Sequence, residues 1–205
     1  MKKSCLIPLV VVAVVVVAVI AGCVSAYNKL VTLEQGVDAQ WAKVEVQYQR
    51  RLDLIPNLVE TVKGYASHES NTLESVTRAR AGLTDAYNAA DSLQKTVGAG
   101  NTNAIADYSA AQSSLNRALS IYVNAVREAY PDLKANENFM NLQAQLEGTE
   151  NRIATERGRY TEEVKTFNVA IRRFPNNILA SFFGFSPRQQ FEAEAAAQSA
   201  PKVQF

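Results

Sequence analysis

The sequence predicts an all-α protein: an antiparallel, up-and-down four-helix bundle that follows an N-terminal membrane anchor. Three observations carry this. The chain opens on an uncharged, valine-rich run. Apolar residues then recur every seventh position over most of its length. Turn-forming residues separate those periodic stretches.

The anchor comes first. Leu6 to Val24 holds no charged residue. At helical rise that run spans about 28 Å, close to the hydrocarbon core of a bilayer. A buried core helix would keep a polar stripe, and this run has none. Pro8 is harmless in a first helical turn, where its missing N–H has no partner to lose. Ile20-Ala21-Gly22-Cys23 also resembles a bacterial lipobox, in which the cysteine is lipidated and becomes the mature N-terminus. The run is longer than a usual signal-peptide core, so a retained transmembrane helix is the first reading and a lipoprotein lipidated at Cys23 the alternative. Lys2 and Lys3 against a single Lys29 favour a cytoplasmic N-terminus and a bundle facing outward.

The first bundle helix is expected over Tyr27 to Asp53. Leu30, Val37 and Val44 form one sevenfold row, and Trp41, Tyr48 and Ile55 another. Glu34 and Arg51 fall on the same seam. Pro56 is expected to end or kink this helix, with Asp53 capping the next. The second helix then follows Val59, Val62, Ala66, Leu73, Val76, Leu83, Tyr87 and Ala90 to about Leu93, weakened at Gly64 and Ser67–Asn71. Gly98 to Asn103 is the clearest turn, and Thr102 or Asn103 can cap the third helix. There Tyr108, Leu115 and Tyr122 repeat at seven, flanked by Ala104, Ala111, Ala118 and Ala125, until Tyr130-Pro131-Asp132 stops the helix. The fourth has the strictest row: Phe139, Leu146, Ile153, Tyr160, Phe167 and Phe174, with Pro175 as its end. Short links make an antiparallel bundle the economical way to bury these stripes. The expected division is therefore an anchor over 1–25, a bundle over 26–175 and an aromatic-rich tail over 176–205, the tail docking back on the bundle.

Charge and composition exclude several functions. Removing Lys2 and Lys3 from the 21 Lys and Arg leaves 19 against 20 Asp and Glu, so the region after the anchor is near neutral. It has no electrostatic pull on nucleic acid. Both cysteines, Cys5 and Cys23, lie in the anchor, which leaves no thiol for a disulfide or metal site in the bundle. His68 is the one histidine. A serine or cysteine triad would depend wholly on it, and His68-Glu69 is half of a zinc motif with no second histidine to complete it. Glu147, Glu150, Glu156, Glu162 and Glu163 lack the Glu-x-x-His pairing of di-iron bundles and read as solvated helix faces. No cofactor and no metal are expected.

A polar set falls near the seams: Arg50, Arg51, Asn57, Asn138, Glu150 and Arg157, with Gln143, Asn151 and Asn168 beside them. It predicts a buried network joining the first, second and last helices that sets their register.

Several longer motifs carry a family resemblance. They are Tyr27-Asn28 with Leu30-Val31, Trp41, Gln49-Arg50-Arg51 and Asp53-Leu54-Ile55-Pro56-Asn57-Leu58. They continue in Val62-Lys63-Gly64-Tyr65, His68-Glu69, Ala135-Asn136-Glu137-Asn138-Phe139 and Glu150-Asn151-Arg152-Ile153. Phe167-Asn168, Phe174-Pro175 and the closing Pro201-Lys202-Val203-Gln204-Phe205 complete them. In these the chain resembles the LemA family from Tyr27 to the C-terminus. The resemblance implies a bacterial protein with an N-terminal membrane helix and a helical bundle, and it implies no particular activity. The lipobox-like Ile20–Cys23 departs from that pattern.

The functional expectation is a non-enzymatic, membrane-anchored scaffold or adaptor whose partners are other membrane or envelope proteins. The alternative is a ligand- or peptide-binding module using a groove lined by Tyr108, Tyr122 and Tyr160. The sequence leaves a homo-oligomer open.

Overall fold

A computed structural model describes residues 6–66, 74–97 and 102–191 of the chain. Among these residues the protein is all-α, with five α-helices and one 3₁₀ turn. The helices are α1 (Leu6–Ala66), α2 (Glu74–Gln94), α3 (Thr102–Ala129), α4 (Glu137–Arg172) and α5 (Asn176–Phe183). The 3₁₀ turn, Pro131–Ala135, follows α3, as the Tyr130-Pro131-Asp132 stop requires.

The chain forms two compact units. Gln40–Tyr160 and Phe191 make one of them. In it, α1 and α4 run antiparallel: Gln40 meets Glu156, and eleven residues later Arg51 meets Glu150. Between α1 and α3 the indices rise together, from Tyr48 on Tyr108 to Tyr65 on Tyr130, so these helices are parallel. Gln94 at the end of α2 bonds Gln49 of α1, so α2 runs opposite to α1. The result is up-down-up-down. The heptad rows explain it: Val44, Trp41, Tyr48, Ile55, Tyr108, Leu115, Tyr122, Phe139, Leu146, Ile153 and Tyr160 are all buried. Asn136 caps α4 by accepting from the Phe139 backbone N–H at 3.1 Å.

The other unit holds α1 up to Ala39 together with Thr161–Gln190. Leu30, Val37, Val164, Phe167, Ile171 and Ala180 are its buried apolar residues. The valine-rich run of α1 is exposed from Leu9 to Val24, apart from the half-buried Cys23. Gly184 ends α5 in the left-handed region at φ 79°, a conformation that favours glycine.

Three expectations change. Pro56 does not end the helix, because α1 continues through it to Ala66. Pro56 itself is exposed, while Leu52, Leu54, Ile55 and Leu58 around it are buried. Burial of those four offsets the lost backbone bond. Asp53 is accordingly inside the helix and caps nothing. The described part of α1 runs to Ala66 and α2 begins at Glu74, with Ser67–Asn71 outside the described residues. Phe174 also leaves its row: α4 ends at Arg172, and Phe174 is 81% exposed. Leu73, His68, Glu69, the Gly98–Asn101 turn and Pro201–Phe205 lie outside the described residues.

Candidate functional site

Arg51 is the centre of the polar arrangement. Its place on the a/d seam of α1 turns it inward, and only 3% of it is exposed. A buried guanidinium must find acceptors or forfeit its hydration. Here Nη1 donates to the backbone oxygen of Gln112 at 3.0 Å and to its Oε1 at 3.2 Å, while Nη2 donates to Glu150 Oε2. The Tyr48 ring lies 5.8 Å from the guanidinium carbon, within cation–π range. Gln112 Nε2 in turn donates to the Tyr108 hydroxyl at 3.1 Å, and Asn116 Nδ2 to Glu150 Oε1 at 3.4 Å. α1, α3 and α4 are thus tied at one level.

Burial raises the Tyr48 phenol above its usual range, with Arg51 and Arg157 among the groups pulling the other way. Burial likewise raises Tyr108 well above that range. Both phenols therefore stay neutral hydrogen-bonding groups at ordinary pH. The gap left between these side chains is about 50 Å³, bordered by Tyr48, Arg51, Gln112, Ser113, Asn116, Glu150, Ile153 and Arg157.

Of the residues singled out in the sequence, Arg51 and Glu150 are brought together, and Arg157 borders the same gap. Arg157 also lies 4.4 Å from the ring of Phe191, which packs on Trp41 and Tyr160. Arg50, Asn57 and Asn138 are exposed and take no part. Asn57 instead donates to the Asp53 carbonyl of its own helix. The helix joined to α1 and α4 is α3, not the expected second helix. Glu34, on the same seam as Arg51, is not its partner.

Sequence reasoning missed Gln112, Asn116 and a second polar pair. In that pair the buried Gln40 donates to Glu156 Oε2 at 2.6 Å. Gln112 did carry a signal: it sits four residues after Tyr108 and three before Leu115, inside the apolar stripe of α3.

In the unit that includes the apolar run, Arg188 holds the chain after α5 in place. Its Nη2 reaches Glu34 Oε1 at 3.0 Å and Asp38 Oδ1 at 3.5 Å, one turn apart on α1. Its backbone exchanges two hydrogen bonds with the Asn168 amide, at 2.9 and 2.8 Å. Phe185 packs on Phe167 and Tyr27, and Phe183 on Tyr27. The part of the tail that is described therefore docks.

The three tyrosines of the expected groove do not share one. All three are core residues. Tyr122 borders an open depression of about 270 Å³ with Val59, Val62, Val76, Arg80 and Tyr130. No group of three or more His, Cys, Asp or Glu able to hold a metal ion occurs among the described residues. Cys23 lies within α1 and is partly exposed.

A bundle with a polar tie at its centre and one helix apolar and long enough to cross a membrane defines a class of membrane-associated helical proteins. Residues 40–205 match the model of the LemA family, and the chain belongs to that family. Its relatives include two from Paramagnetospirillum magneticum, the magnetosome proteins MamQ 1 and MamQ 2. Each is 29% identical over 196 residues, covering 90% of this chain and 71% of the relative. The magnetosome protein MamQ of Magnetospirillum gryphiswaldense is 27% identical over 195 residues, covering 89% and 71%. Neither the family's description nor these names is that of an enzyme.

Proposed function

We propose that the protein is a non-enzymatic scaffold or adaptor, held in the bacterial cell membrane by residues 1–25 and presenting its bundle to other membrane or envelope proteins. One observation carries this reading. The buried polar groups that could have formed a reactive site are tied to one another across α1, α3 and α4. They leave a gap of about 50 Å³, far smaller than a substrate pocket of roughly 300–1,000 Å³. Such a network fixes helix register and gives a rigid surface for a partner. Relatives named for a structure and not for a reaction support a part in an assembly. Retention of the first helix, with Lys2 and Lys3 inside, faces the bundle outward; lipidation of Cys23 is the other route to the same tether.

The depression beside Tyr122 favours one second reading, a ligand- or peptide-binding module. In-cell crosslinking of the full-length protein, followed by mass spectrometry, separates the two. A reproducible membrane-protein partner supports the adaptor. Self-crosslinks alone, with a ligand-dependent rise in melting temperature, support the binding module.

A further inference from the structure

The unit that contains the apolar run carries a second apolar surface. Ile178 and Phe182 lie one turn apart on α5 and are 61% and 81% exposed, and Phe174 just ahead of the helix is equally open. Water-facing surfaces rarely gather large apolar side chains so closely without a use for them.

The position of α5 identifies that use. The Phe183 ring stands 4.7 Å from the ring of Tyr27, and the Phe182 ring 5.1 Å from Phe183. Tyr27 follows Val24, the last residue of the apolar run, by three residues, about 4.5 Å of helical rise. α5 is therefore held beside the point where α1 leaves the lipid. A lipidated Cys23 gives the same level, because it stands four residues, about 6 Å, before Tyr27. Arg172 and Arg173 at the end of α4 and Lys29 on α1 are all exposed in this unit. Aromatic rings with long cationic side chains around them are the composition of a membrane–water interface. With the apolar run of α1 in a membrane, lipid is the partner nearest to this surface.

We propose that α5 is an interfacial helix, with Phe174, Ile178 and Phe182 set among the acyl-chain ends and Arg172, Arg173 and Lys29 facing anionic headgroups. The chain then grips one leaflet at two places, through its N-terminal run and through α5. This rests on the anchored reading of residues 1–25.

The test uses the full-length chain in vesicles of phosphatidylcholine and phosphatidylglycerol. Trp41→Phe removes the native tryptophan and Phe182→Trp supplies a probe, with circular dichroism checking the fold. Ile178→Trp in the otherwise native chain, read against wild-type emission, serves if Trp41→Phe disturbs the core. Flotation is measured first, then quenching by lipids brominated on their acyl chains and by aqueous iodide. The expected result is co-flotation, loss of about half the probe emission to brominated lipid, and shielding from iodide. A floating protein whose probe is open to iodide and untouched by brominated lipid overturns the interfacial helix and leaves the anchor standing. A probe shielded from both quenchers means that protein covers the face, which also overturns it. Failure to float overturns anchor and interfacial helix together.

Discussion

Arg51 is a charge placed among mostly aromatic and aliphatic buried residues, with Gln112 beside it. Three acceptor atoms and a tyrosine ring meet it, so removing it takes a donor from the two oxygens of the buried Gln112. Arg51→Met is expected to cost about 1–3 kcal/mol, read as a fall in the denaturation midpoint, because unsatisfied buried acceptors keep their full desolvation penalty. Unchanged stability together with unchanged partner capture in Arg51→Met would show that the network has no structural part. Arg51 and Glu150 were legible in the sequence because both fall close to a sevenfold seam. Their partners were legible only in part. Gln112 lies in the stripe of α3, but an uncharged amide does not declare which helix it faces. Arg50, Asn57 and Asn138 were misplaced because a neighbour on a helix is rotated by about 100°: Arg51 points inward and Arg50 out.

At the scale of elements, periodicity located the helices and local chemistry misplaced one boundary. The rows through Val44, Leu115 and Ile153 were read correctly because a heptad pattern integrates over many residues. Pro56 misled because a proline's local cost of about 3 kcal/mol is outweighed where the flanking residues bury four large side chains. Pro56→Ala is therefore expected to stabilise the protein by about 1–3 kcal/mol, since it restores the backbone bond to the Leu52 carbonyl while changing only an exposed side chain. A loss of stability on urea denaturation would mean that a local bend at Pro56 is needed for packing. The Arg188 segment was not legible at all. Its partners Glu34, Asp38 and Asn168 lie far away in sequence, and no pattern links them. Asn168→Ala removes both backbone clamps on Arg188, and hydrogen exchange over residues 185–190 is expected to rise about tenfold.

For the whole molecule, buried phenols set the alkaline limit of the bundle. Burial pushes the Tyr122 phenol up to about 12 from its ordinary 10.0. Between those values an unfolded chain ionises this phenol and the folded one keeps its proton, so the unfolded state gains and stability falls. The stabilising term is fully present below pH 10 and is lost as pH rises to about 12. Urea midpoints measured across that window should fall, and the fall should be smaller in Tyr122→Phe. The arrangement of α1 also fixes an order in time. Arg51 and Glu150 are 99 residues apart, Gln40 and Glu156 116, and Glu34 and Arg188 154. α2 and α3 are joined by a short link and can pair while the chain is still being synthesised, whereas contacts of such long range close late. α1 leaves the ribosome well before the residues that complete it: until Arg188 emerges, Glu34 and Asp38 on α1 lack the guanidinium that meets them in the fold.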